Sequence, residues 1–563
     1  MYDFFDKTAV DIRPSDISYK SSDYLKELKN RLEIEKNRTE IVVNYYRIRQ
    51  KYVLSLPIEN GWDKDLPVVV ENINPYPYAI WLLWTLRERW DTLYSGYVIF
   101  NDKESRSLLE NEILKAFSWD KYAIGRNAYL GTAHFAMCVA RYYLNDVFSH
   151  STEQKIEKLS KEFIDKHYID WLREYEQIDE NNKVALLHNI QVILAFSGLA
   201  LAKCVGYKYC DEIEEVVKKI IRAYKGSRKG EQPFTEMAAY DSFTLDAITE
   251  YVSLFSKEDC IRDYEEELTD AFCSITDTMV PGRCDILAPI GDVEEEMQFH
   301  SYVVYRLSKW LNNDYGMSLF RQINPTRLPS LLLMEAVRED DNYPSESIGP
   351  LTRKNAGTLA MRTGYLKDDV LVCLSVAKWN EGHVHFDSGS FIFACLGQLP
   401  ISDPGYQQYI KNEERVFTVG KYSHNAPVIN GNSQSKRLAE IVELSDNHVK
   451  LDLSLCYELE KDRVFRTFDL CGKELTVKDE FIGLDDTTVE YAFSLSEKGN
   501  VRVEDGVLVI DFEDFTSKMK ASFDFSEKEI IPPCGVIEKS RIIHGMKIGN
   551  REEITFKIWV ERQ

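Results

Sequence analysis

Long apolar runs are missing from this chain. No window reaches the roughly 18 apolar residues that a helix needs to cross a bilayer. The first residues, "MYDFFDKTAVDIRPSD", have no basic n-region and no apolar h-region, so they do not read as a signal peptide. Paired cysteines are missing too. Eleven are scattered from Cys138 to Cys534 without a CxxC spacing. An odd, unspaced set reads as reduced, mostly buried thiols. Together these absences lead us to expect a cytoplasmic protein, or a periplasmic or secreted one if a leader has been removed. Positive charge is in short supply. The 69 Lys and Arg face 92 Asp and Glu, for a net charge of -23. That argues against general binding to nucleic acid or to an anionic membrane, both of which want a basic surface. A polyanionic substrate remains compatible, because a basic cleft fits inside an acidic protein. Nothing in the pattern sets an oligomeric state.

At 563 residues the chain exceeds one ordinary core, so two or three domains are expected. The hydrophobic period changes once. From Ser22 to about Val337 apolar residues recur at helical spacing, as in "YAIWLLWTLRERWDTLYSGYVIF", "HNIQVILAFSGLALAKCV" and "DEIEEVVKKIIRAYKG". Helices in such a series build a solenoid or an α/α toroid, and no 30–45-residue repeat favours the solenoid. "REDDNYPSESIGP", polar and with two prolines, reads as a linker over 338–350. Beyond it the period is two, in "DVLVCLSVAK", "KELTVKDEFIG", "TTVEYAFSLS" and "EITFKIWVE". Strands without intervening helices make an antiparallel sandwich. The expected layout is therefore a helical domain over 1–337 and a β-sandwich over 351–563.

Only ten histidines occur, and two fall in "EGHVHFDSGSF". In extended chain His383, His385 and Asp387 share a face. "ISDPGYQQY" adds Asp403, and "KYSHNAPVING" adds His424. Histidines and a carboxylate from three segments suit zinc or a similar divalent ion. Taken singly, each residue also reads as a polar turn residue.

The run "GHVHFDSGSFIFACLGQLPISDPGYQQY…YSHNAPVING" resembles the signature of the heparinase II/III-like polysaccharide lyases, with a weaker trace over about 126–298. The resemblance implies an incomplete α/α toroid joined to an antiparallel β-sandwich. It implies β-elimination on uronate polymers, most closely glycosaminoglycans, giving 4,5-unsaturated products from an anionic polysaccharide. It implies His383 as catalytic and His385, Asp403 and His424 as ligands of one structural divalent ion, zinc or manganese. In the helical half it points to His188 and Asn189 in "ALLHNIQVILAF" and to Tyr240 in "PFTEMAAYDSFTLD". Relatives read Asn-His or Asn-rich at the first motif; the His-Asn order here leaves open which of the two meets substrate. Tyr406, after Asp403, is a second candidate for proton transfer, with stacking on a sugar ring as its alternative.

Gln191 lies one turn from His188. In "GRNAYLGTAHFAM", Arg126 and Asn127 suit a carboxylate or sulfate, which Arg binds bidentately. His134, on an apolar helical face, reads as a core histidine. Asp292 and His300 receive no role. The set suits lyase chemistry. The C5 proton of a uronate is acidified by the adjacent carboxylate, whose growing charge needs donors such as His188, Asn189 and Arg126. A base takes that proton and an acid protonates O4. Tyrosine, with an ordinary pKa near about 10, needs cationic neighbours to serve as base at neutral pH. Two other readings compete: a toroid-type glycoside hydrolase, which needs two carboxylates, and a non-catalytic carbohydrate-binding protein with a structural metal.

Overall fold

The computed structural model describes residues 18–47, 50–57, 75–119, 122, 127–230, 233–255, 262–293, 298–338, 349–377, 383–405, 413–435, 439–533 and 539–563. Helices dominate up to Val337 and strands dominate from Leu351 onward. Most of the segment expected as a linker, 339–348, lies outside the described residues.

The helical domain is layered around one apolar helix. Asn189–Val205 carries apolar residues on every side and is buried nearly throughout, as a helix at the centre of a domain must be. It packs against Asn127–Leu144, Met237–Phe255 and Cys210–Tyr224. The last of these is amphipathic. Ile213, Val216, Val217 and Ile220 face inward at spacings of three and four, with Asp211 and Glu212 in the first turn and Arg222 in the last. The central helix stops at Gly206, whose φ of 55° is the left-handed conformation a C-terminal cap requires. Arg31, fully buried, ties the first described helix, Ser21–Lys36, to the end of the domain. It donates to the carbonyls of Leu328 (2.7 Å) and Pro325 (3.1 Å) and pairs with Glu88 (3.0 Å).

The helical period does not hold throughout this half. Glu40–Arg47 and Gln50–Pro57 form an antiparallel hairpin, and Met279–Val280 pairs with Arg283–Leu287. The first hairpin, "EIVVNYYR" and "QKYVLSLP", is rich in β-branched and aromatic residues, which favour strands. Both segments lie within 22–337, where the apolar spacing predicts helix, and the structure corrects that expectation.

The second domain is a sandwich of two sheets whose pairs are all antiparallel. One sheet runs from Ile530–Ile531 through Arg541–Ile548, Thr487–Leu495, Gln398–Ser402, Phe391–Cys395, Val370–Ser375 and Thr358–Arg362 to Leu351–Lys354. The other runs from Glu440–Ser445 to Asn500–Glu504, with Arg463–Cys471, Glu474–Ile482 and Arg551–Arg562 inside it. Val372, Phe391, Phe393, Phe468, Val477 and Phe556 contribute to the core between them. Strand Val370–Ser375 is buried at every position. Val370, Val372 and Leu374 enter that core. Leu371 and Cys373, on the opposite face, pack with Ile392 and Ala394 against Val280, Ile286, Ala288 and Ile290 of the helical domain. The first sheet is therefore covered on both faces, by the second sheet on one and by the helical domain on the other, as its continuous apolar composition demands.

Of the nine described cysteines all are unpaired, and only Cys471 is exposed. No helix among the described residues is long and apolar enough to cross a membrane.

Candidate active site at the domain junction

The starts of two helices of the helical domain reach the junction with the sandwich. The central helix begins at Asn189, with His188 as its N-cap at φ -57° and ψ 131°. The helix Met237–Phe255 begins after a tight turn in which Asp241 accepts from the Glu236 N–H (3.0 Å), the Thr235 hydroxyl (2.9 Å) and Arg228 (2.8 Å). Tyr240 sits in its first turn. From the sandwich, a loop between Val370–Ser375 and Phe391–Cys395 supplies His383 and His385.

His383 meets the helical domain face to face. Its ring stacks on Tyr240 with centroids 3.5 Å apart and planes 6° from parallel. The His188 ring lies 6.4 Å away. Glu236 stands beneath them, with Oε1 3.5 Å from His383 Nδ1. The same carboxylate accepts from the Asn189 backbone N–H (2.9 Å) and from its side-chain amide (3.0 Å). This distinguishes the two candidates of the His-Asn pair. Asn189 is buried with its amide turned to Glu236, whereas His188 is half-buried and faces His383. The Gln191 side-chain oxygen accepts from the Trp171 indole at 2.5 Å, so it holds a neighbouring helix. Arg126 and Tyr406 lie outside the described residues. Asn127 opens the helix Asn127–Leu144, and its side chain lies outside them too.

The second histidine turns away from Tyr240. His385, Asp387 and His424 each bring a donor atom within 4.8 Å of the others, and all three are buried. Each imidazole has one nitrogen bonded and one not. His385 Nε2 is 2.8 Å from Asp292 Oδ1, and His424 Nδ1 is 2.8 Å from Asp403 Oδ2. His385 Nδ1 and His424 Nε2 are buried without a hydrogen-bond partner among the described residues. Two orphaned imidazole nitrogens beside a carboxylate are a donor set that fits a divalent cation. Of the expected ligands, His385 and His424 come together here. Asp403 joins the cluster from behind His424, its other oxygen taken by the Gly405 N–H at 3.0 Å. The carboxylate beside the two rings is Asp387, which also accepts from Ser375 at 2.8 Å.

The electrostatics follow this geometry. Burial alone would lower the His424 pKa, but the Asp403 and Asp387 carboxylates outweigh it and hold the imidazole above its ordinary value. Burial alone would raise Asp292. The His385 hydrogen bond and Arg415 instead hold it well below the usual carboxylate range. Arg415 reaches Asp292 with Nη1 at 2.6 Å from Oδ1 and Nη2 at 3.2 Å from Oδ2. Asn425 pins the loop after His424. Its amide donates to the carbonyls of Phe391 (2.7 Å) and Ser402 (2.6 Å), and its oxygen accepts from the Ser494 N–H (2.8 Å).

Sequence reasoning left Glu236 unnamed and gave Asp292 no role. Glu236 sits four residues before Tyr240, which was its only local signal. Asp292 had none, since its partners are 93 and 123 residues away. His134 is a core histidine. It accepts from Trp84 (3.1 Å), lies 3.3 Å from Arg87, and is held well below its ordinary pKa by burial and that guanidinium. His300, buried, contacts the Cys284 carbonyl at 3.3 Å.

Comparison with known proteins agrees with this architecture. The model of the family described as Heparinase II/III-like, C-terminal, matches residues 353–514. No curated protein sequence matches the chain. Among solved structures, heparinase III superposes with a TM-score of 0.61 at 12% identity, covering 99% of this chain and 88% of that one. A mutant of heparan sulfate lyase HepC from Pedobacter heparinus gives 0.59 at 12% identity, covering 100% and 86%. Another heparinase III gene product gives 0.58 at 12%, covering 97% and 94%. Residues 353–514 thus match the heparinase II/III-like C-terminal family model, and the whole chain shares the α/α toroid plus antiparallel β-sandwich fold of these solved structures.

Proposed function

We propose that the chain is a polysaccharide lyase that cleaves a uronate-containing polymer, most closely a glycosaminoglycan, by β-elimination at the domain junction. The observation that carries this reading is the stack of Tyr240 on His383. It brings together two groups able to move protons, one from each domain, with His188 beside them. A hydrolase would need a pair of carboxylates flanking the bond. Here Glu236, 3.5 Å from His383, is buried and engaged by Asn189.

In the proposed reaction a base, Tyr240 or His383, removes the C5 proton. The electron pair left on C5 forms the C4–C5 double bond as the C4–O4 bond breaks. The departing O4 takes a proton from the acid of the pair. Charge builds on the uronate carboxylate before O4 leaves, and His188 is placed to donate to it. His385, Asp387 and His424, with Asp403 behind, would hold a divalent ion. That ion would fix the loops carrying His383 and His424, with no direct part in the proton transfers.

The test is turnover on a panel of uronate polymers, followed by the ultraviolet absorbance of the conjugated product. Tyr240→Phe keeps the ring and removes only the hydroxyl. It is expected to lower kcat by about 10²–10⁴-fold, the size of one general acid–base contribution, with substrate binding retained. Near-normal turnover in Tyr240→Phe would remove that tyrosine from the mechanism.

A further inference from the structure

We propose that Asp292, a residue of the helical domain, is a positioning residue for the sandwich histidines, and that divalent-metal affinity at His385 depends on the helical domain through it. The proposal rests on the metal reading above and adds to it the source of its control.

Three contacts converge on this one residue. The side chains of Asp292 and His385 are both fully buried, with Oδ1 2.8 Å from Nε2. The Asp292 backbone N–H donates to the His383 carbonyl at 3.0 Å. One residue therefore grips both histidines of "HVH", His383 by main chain and His385 by side chain. Arg415 holds the carboxylate at both oxygens, so it cannot swing away from the ring. The approach is closer than an ordinary residue allows. Gly291 has φ 73°, and a Cβ there would stand 2.6 Å from the His383 carbonyl oxygen.

The chemistry follows from the bond at Nε2. A carboxylate accepts there only if Nε2 carries the proton, which leaves the lone pair on Nδ1. Nδ1 is the buried nitrogen without a hydrogen-bond partner. Asp292 thus selects the tautomer and ring orientation that a cation needs. His424 is held the same way, but by Asp403 of its own domain. The two halves of the metal site are therefore set by different domains, and the docking of toroid on sandwich is linked to metal affinity.

The test uses the full chain, with zinc as the probe in competition with a fluorescent chelator. Long-range proton–nitrogen spectra of the metal-free protein report the tautomer of His385. Asp292→Ala is expected to weaken zinc binding about 10–100-fold, the usual loss for an outer partner of a ligating histidine, and to mix the tautomers. Asp292→Asn, whose side-chain oxygen still accepts a hydrogen bond, is expected to recover part of both. A merely structural role would lower thermal stability without moving the tautomer. The proposal is overturned if Asp292→Ala binds zinc within about twofold of the parent with His385 unchanged, or if the parent carries the proton on Nδ1. A parent that binds no zinc would remove the coupling to metal affinity and overturn the proposal. Loss of zinc affinity in a protein inactive on every polymer would sustain it while the lyase reading fails.

Discussion

His188 and Asn189 are adjacent in sequence yet have separate jobs in the structure. His188→Ala is expected to lower turnover with little change in stability, because the ring is only half-buried and stands beside His383. Asn189→Ala is expected to do the reverse. It removes a buried hydrogen bond to a charged acceptor, which costs about 1.5–3 kcal/mol, measurable as a shift in a urea midpoint. Glu236→Ala should destabilise by more than Asn189→Ala, since it strands both the Asn189 N–H and its amide. A stable Glu236→Ala protein would contradict that bookkeeping. The histidine motif and Tyr240 were legible as residues because short, unusual strings carry them. Asp387 was legible only as a neighbour on the same face. Glu236 and Asp292 were not legible as site residues, because their meaning comes from partners far away in the chain.

The strands and helices vary in how plainly they show in sequence, and burial explains the difference. Helix Cys210–Tyr224 has one apolar face and declares its period. Strand Val370–Ser375 is covered on both faces, so its pattern is a continuous apolar run, and only its chain neighbours mark it as a strand. The hairpin at Glu40–Pro57 was missed because the long helical runs around it set the expectation. Two elements of the sandwich are joined by a fully buried ion pair. Arg466 lies 3.1 Å from Asp479 on the adjacent strand, and it also donates to the carbonyls of Gly389 (3.1 Å) and Asn425 (2.7 Å). Asp479→Leu leaves that guanidinium uncompensated and is expected to cost about 3–5 kcal/mol, read from chemical denaturation. A loss under about 1 kcal/mol would mean that the carbonyls alone suffice. Gly291→Ala tests the seam between domains. The left-handed conformation and the close His383 carbonyl together predict a loss of at least about 1–3 kcal/mol, with a slower enzyme as well.

The domains at the scale of the whole molecule share a surface and a site. The change of period near residue 340 made the two-domain layout readable from sequence. The resemblance of one run, 383–430, pointed to the fold that comparison supports over the full length. What sequence did not convey is that the sheet facing the helical domain and the histidine loop are one continuous contact. If a divalent ion is bound at His385 and His424, chelation should lower the melting temperature, because a ligand held only by the folded state stabilises it. An unchanged melting curve with and without chelator would count against the ion. The central claim is the reaction itself, and its most direct test is to digest a uronate polymer in water enriched in heavy oxygen and weigh the products. Elimination breaks the C4–O4 bond without water. The account therefore expects a chain-end uronate lacking the elements of water, absorbing in the ultraviolet and carrying no label from the cleavage step. Saturated products with heavy oxygen at the new reducing end, beyond slow exchange in an uncut control, would show hydrolysis and contradict it.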